Sequence, residues 1–137
     1  MSFDLGVWDS SKSLTNSEAG EIYAKLCKEW PHLEGNSANV AAFYNELIEK
    51  WPEIDTIPEE KIGDFDFCPW SCALNHSGMA IVMSCVWSKA NEVGEFVGHL
   101  AQKHHLLLFD PQANRAVLPK HLSLKTLSLW QRLFNRT

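Results

Sequence analysis

The sequence predicts an α+β domain, and three observations predict it. Residues 79–87, Met-Ala-Ile-Val-Met-Ser-Cys-Val-Trp, are apolar at nearly every position, as a strand covered on both faces is. Residues 88–105 follow with a helical apolar rhythm and lead into Leu106-Leu-Leu-Phe109, so 79–111 reads strand, helix, strand. Two earlier segments each carry one apolar face at helical spacing and each end in Trp-Pro.

The elements follow in order. Phe3, Leu5 and Val7 alternate with Asp4 and Gly6 before Trp8, the period of a first strand. Thr15-Asn-Ser-Glu18 fits a capping box, in which each side chain satisfies the other residue's free N–H. The first helix is expected over 17–30, with Ala19, Ile22, Tyr23, Leu26, Cys27 and Trp30 inward and Pro31 as its stop. The second, over 38–51, sets Val40, Phe43, Tyr44, Leu47, Ile48 and Trp51 inward before Pro52. Tyr23 aligns with Tyr44, Leu26 with Leu47 and Trp30 with Trp51. Two units are too few for a solenoid, so the pair is expected as an αα-hairpin on a sheet.

Residues 53–66 read as an acidic loop kept from helix by Pro52 and Pro58. Its Glu53, Asp55, Glu59, Glu60, Asp64 and Asp66 face only Lys61. A second strand is expected over 67–74, with Asn75-His-Ser-Gly78 as its turn into the 79–87 strand. Ser88 is the expected cap of the next helix. On that helix Ala90, Val93, Phe96, Val97, Leu100 and Ala101 form the inner face. Gly94 and Gly98 imply a close approach by a neighbouring element. His104 and His105 suit the helix's last turn, where positive charge meets the dipole. Residues 106–109 form a fourth strand, Asp110 to Asn114 a turn, and 115–119 an edge extension ended by proline. Ser123 caps a last helix through Phe134, with Leu127, Trp130, Leu133 and Phe134 inward, although its leucines also fit strand spacing in part.

The order is β-α-α-β-β-α-β. Collapsing the helix pair gives a ferredoxin-like split βαβ variant, with helices mainly on one face of a single sheet. Residues 1–137 are expected as one domain, with 120–137 a C-terminal tail helix. At 45% hydrophobic and 21% charged residues, the chain has the composition of a globular protein with a core of its own.

Net charge is −5, which argues against a general nucleic-acid binder and leaves room for a basic protein partner. No acid follows Asp110, while Lys120, Lys125, Arg132 and Arg136 do, so an acidic front meets a basic tail. The N-terminus lacks a basic region before an apolar run, and no apolar run approaches a membrane span. A cytoplasmic location is expected, with Cys27, Cys68, Cys72 and Cys85 as reduced thiols.

Cys68, Cys72 and His76, with Cys85, are the residues that could offer zinc ligands. The spacing of three between Cys68 and Cys72 fits neither Cys-x2-Cys nor Cys-x4-Cys, and no second knuckle exists. Buried free thiols are the expectation. The same segment is no Cys-x-x-Cys redox motif. A strand separates His104 and His105 from Asp110, so acid–base work between them is not expected. No nucleophile elbow, phosphate loop, zinc-protease helix or dinucleotide fingerprint is present, and no cofactor is expected. Of six tryptophans, most are expected in the core. Trp70, beside Pro69 at the exit of the acidic loop, is the one expected at the surface as a partner anchor.

Ser2-Phe-Asp-Leu-Gly-Val-Trp8, the Pro69-Trp70 pair, Val86-Trp-Ser88 and Phe109-Asp-Pro-Gln112 resemble a group of small bacterial proteins of unassigned function. Some of these look like immunity proteins of toxin systems. The resemblance runs to about Pro119 and rests on structural motifs. It implies a bacterial, non-enzymatic, protein-binding role. The expected function is therefore an immunity-type protein that neutralises a partner through Glu59, Glu60, Asp64, Asp66 and Trp70. The alternatives are a metal- or thiol-dependent enzyme centred on Cys68, Cys72 and His76, and a homodimeric small-molecule-binding domain.

Overall fold

The computed structural model describes residues 2–122. The strands are β1 (Ser2–Trp8), β2 (Asn75–His76), β3 (Ala80–Val86), β4 (Leu107–Asp110) and β5 (Arg115–Val117). The helices are α1 (Asn16–Lys28), α2 (Ala38–Lys50) and α3 (Ala90–Lys103). One five-stranded sheet runs in the order β2-β3-β1-β4-β5, and all its neighbours are antiparallel. The protein is thus α+β.

The apolar alternation of β1 places it at the centre, where it pairs with β3 from Ser2↔Val86 to Trp8↔Ala80 and with β4 along its second half. Because β1 is antiparallel to both, β3 and β4 run parallel to each other with β1 between them, and α3 makes the crossover. By the same reasoning β2 runs parallel to β1 across β3, with α1 and α2 in the connection.

The strands' period of two divides the core into two layers. Leu5, Val7, Ile81, Met83, Cys85 and Leu108 face α2 and α3, meeting Val40, Phe43, Leu47, Val93, Val97 and Leu100. Trp8, Ala80, Val82, Leu107 and Phe109 face the other way, against Ala19, Ile22, Tyr23 and Leu26 of α1. Gly6 lets α1 approach: a Cβ there would stand 2.9 Å from a ring carbon of Tyr23. The expected αα-hairpin is therefore corrected. α1 and α2 cover opposite faces: α2 and α3 share one, and α1 alone covers the other. Each helix has a matching apolar stripe, but both stripes are satisfied by the sheet between them.

The caps follow the sequence. Thr15 Oγ1 accepts from the Glu18 N–H at 3.1 Å, and the Thr15 N–H donates to Glu18 Oε1 at 2.9 Å. Ser37 caps α2, accepting from the Val40 N–H while donating to Asp9 Oδ2 at 2.6 Å. Ser88 does not cap α3. It lies in a 3-10 turn, Trp87–Lys89, and α3 begins behind Lys89 with no side-chain cap.

Other expectations change too. The second strand is only Asn75–His76, within the segment read as a turn, while 67–74 contributes a single bridge, Trp70↔Cys85. Two 3-10 turns, Ile54–Thr56 and Glu59–Lys61, punctuate the acidic segment. A Cβ at Gly98 would meet nothing within 4 Å and one at Gly94 only the Phe3 ring at 3.6 Å, so neither glycine answers a tight approach. Residues 120–122 are helical, and the expected continuation through Phe134 lies outside the described residues.

Candidate functional site

The acidic segment leaves α2 at Trp51-Pro52 and is fastened at its base. The Tyr44 hydroxyl donates to the Glu53 carboxylate, whose other oxygen accepts the Leu74 N–H at 3.2 Å. The Tyr44 ring stacks on His76, with centroids 3.9 Å apart and planes 13° from parallel. Burial and the Glu53 charge push the Tyr44 phenol up to about 12. Burial holds His76 below the usual imidazole range, and Glu53 pulls against it. At the far end, the Val86 N–H of β3 donates to the Pro69 carbonyl at 2.9 Å. Between these ties Glu59, Glu60, Asp64 and Asp66 are all exposed. Asp66 pairs with Lys89, and that hydrogen bond is the main cause that raises the lysine's pKa.

Trp70 is not at the surface, and this is the main correction to the candidate site. It is 1% exposed, and its indole stands edge-on to Trp51 with centroids 6.0 Å apart. Its Nε1–H donates to the Trp51 carbonyl at 3.4 Å. The bridge to Cys85 turns this side chain into the layer beneath α2 and α3. Among the described residues the exposed tryptophan is Trp87, just past the end of β3, where the chain leaves the sheet for a 3-10 turn. Ile62 and Phe65 of the acidic segment and Phe67 just after it are exposed with it. Sequence reasoning missed these four. The signal was present for three of them, as apolar residues inside an acid-rich, proline-bounded stretch.

The sulfur and imidazole candidates do not converge. Cys68 is buried, donating to the Pro52 carbonyl at 3.3 Å, and Cys85 is buried in β3. Cys72 is exposed, and His76 is held in its stack on Tyr44. Burial pushes both buried thiols up, Cys85 to about 11, which opposes the thiolate that nucleophiles and metal ligands require. Among the described residues, no three of His, Cys, Asp and Glu are grouped to hold a metal ion. His104 ends α3, 3.5 Å from Glu46, whereas Asp110 closes β4 and accepts the Gln112 N–H at 2.9 Å. They sit at opposite ends of β4.

A cleft of about 500 Å³ lies between the start of α2 and the β2–β3 turn, lined by Asn36, Ser37, Ala38, Ala41, His76, Ser77 and Gly78. Its walls are stitched by the Ser37 N–H bonding the Gly78 carbonyl at 2.8 Å. A Cβ at Gly78 would stand 2.2 Å from the Gly35 carbonyl oxygen, so only glycine permits this approach.

Among the described residues, no helix is long and apolar enough to cross a membrane. The chain matches no protein-family model, no curated protein and no solved structure.

Proposed function

We propose that the protein is a non-enzymatic, protein-binding domain of immunity type, acting in the cytoplasm of a bacterium by covering a basic partner. One observation carries this reading. Glu59, Glu60, Asp64 and Asp66 stand exposed on a segment tied at both ends to a packed sheet, so the charge is presented on a fixed support. A pre-positioned charged surface steers encounter without paying to order itself. The resemblance to small bacterial proteins adds the immunity element. The strand order, with β1 and β3 inside and α3 crossing from β3 to β4, supports a ferredoxin-like variant carrying an extra edge strand and one helix on the reverse face.

The test is capture of a partner from the source bacterium by the full chain and by a variant with Glu59→Gln, Glu60→Gln, Asp64→Asn and Asp66→Asn together. The reading expects the variant to lose a partner that the wild type retains, with its melting temperature within a few degrees. Retention of that partner by the neutralised variant removes this surface from the account.

A small-molecule site is the second reading, and the cleft beside His76 favours it. Saturable amide shifts confined to residues 36–41 and 76–78 in a small-molecule titration would establish it.

A further inference from the structure

Four large apolar side chains are exposed among the described residues: Ile62 at 62%, Phe65 at 40%, Phe67 at 38% and Trp87 at 51%. Three come from one short segment, and the fourth lies beside it. The Val86 N–H donates to the Pro69 carbonyl at 2.9 Å, and Lys89 pairs with Asp66, so 62–69 is strapped against 86–89. Trp87 is braced rather than free, edge-on to Phe3 with centroids 5.9 Å apart. Lys61 sits 5.2 Å over the Phe67 ring. The straps set Phe67 and its segment beside Trp87, and Glu59, Glu60, Asp64 and Asp66 are the exposed acids of the same segment.

Single exposed apolar residues need no explanation, but a braced cluster within an acidic rim has the anatomy of an interface: an aromatic centre and a charged edge. The rim decides the occupant. Asp64 lies 3.9 Å from Lys61 and Asp66 pairs with Lys89, so four carboxylates and two lysines leave the rim a net charge of −2, and a second copy of this chain would bring the same sign against it, which such contacts disfavour. A cationic protein surface carries the complementary sign.

We infer that the patch of Ile62, Phe65, Phe67 and Trp87 is the centre of the interface, and that its occupant is a protein segment with apolar side chains flanked by lysine or arginine. This rests on the binding reading above and adds the division of labour. The apolar centre sets how long the partner stays, and the acidic rim sets how fast it arrives.

The test needs no identified partner. Its probe is a synthetic amphipathic peptide of leucine and lysine, with a leucine–glutamate peptide of the same pattern as control. The full chain, ¹⁵N-labelled, is titrated with each, and dissociation rates are measured on wild type, Phe65→Ser and Trp87→Ser. Saturable shifts at 59–67 and 86–89 with the lysine peptide alone are expected, as is a dissociation rate at least ten-fold faster in each variant. Equal binding of the glutamate peptide, shifts elsewhere, or unchanged dissociation in both variants overturns the inference. So does a dimer in light scattering that either serine variant abolishes. The capture experiment is separate: a native partner lost on neutralising the rim yet held equally by the serine variants would keep the binding reading and reject this centre.

Discussion

Replacing Trp70 by alanine is expected to destabilise the fold several times more than replacing Trp87, although sequence context made Trp70 the exposed one. Trp70 is 1% exposed, and truncating a tryptophan in such a site costs about 3–5 kcal/mol. Part of that is the edge-on contact with Trp51, and part is the Trp51 carbonyl left without its Nε1–H donor. Trp87 keeps 51% of its surface in water, so alanine there removes roughly half a side chain's burial, about 1 kcal/mol. Urea unfolding followed by circular dichroism separates the two. With a slope of roughly 2 kcal/mol per molar, the Trp70→Ala midpoint should fall by about 2 M and the Trp87→Ala midpoint by about 0.5 M. If Trp70→Ala does not fold, Trp70→Phe, which keeps a ring but loses the donor, should still show a loss of about 1–2 kcal/mol. Equal midpoints for the two alanine variants would refute the burial argument and reopen Trp70 as a surface anchor.

Other outcomes follow from the same structure. Thr15→Ala should cost about 1 kcal/mol through loss of the α1 cap, read as a lower urea midpoint. The hydrogen bond from the Thr15 N–H lowers the Glu18 pKa. Its contribution is therefore present above the unfolded glutamate range and lost as pH falls through the depressed folded value, and Glu18→Gln should flatten that acid limb. Absorbance at 295 nm should show no tyrosine ionising near the ordinary value, because burial raises both Tyr23 and Tyr44, the latter to about 12. A raised phenol stabilises the fold below the unfolded value, and that contribution fades as pH climbs through the folded one. Tyr44→Phe should accordingly remove the step near pH 12. A disulfide exchange reagent at pH 8 should modify Cys27 and Cys72 quickly and spare Cys68 and Cys85, so Cys27→Ser with Cys72→Ser abolishes the fast phase.

What could be read from sequence divides along physical lines. β1 and β3 were legible because burial on one or both faces writes itself into the side-chain pattern, and α1 because Thr15 and Glu18 signal its start locally. The placement of α1 and α2 on opposite faces was not legible. Each stripe reports that a helix buries one side, and nothing within it names the surface that covers it. β2 failed for a related reason: two residues are too short for any period, and the longer apolar run at 67–74 holds only one bridge. Trp70 and Trp87 exchanged places on register. Pairing with Cys85 turns the first inward, while the chain's exit from the sheet after Val86 frees the second. In the acidic segment Glu59, Glu60, Asp64 and Asp66 are exposed, as charged side chains mostly are, Asp66 with Lys89 as its partner. Glu53 is the exception, drawn in by Tyr44 and the Leu74 amide.

Hydrogen exchange on the full chain, alone and saturated with the partner it captures, tests the central claim most directly. The account predicts slowed exchange confined to 59–69 and 86–89, with residues 36–41 and 76–78 at the cleft unchanged. Protection at the cleft with none along the acidic segment would contradict it.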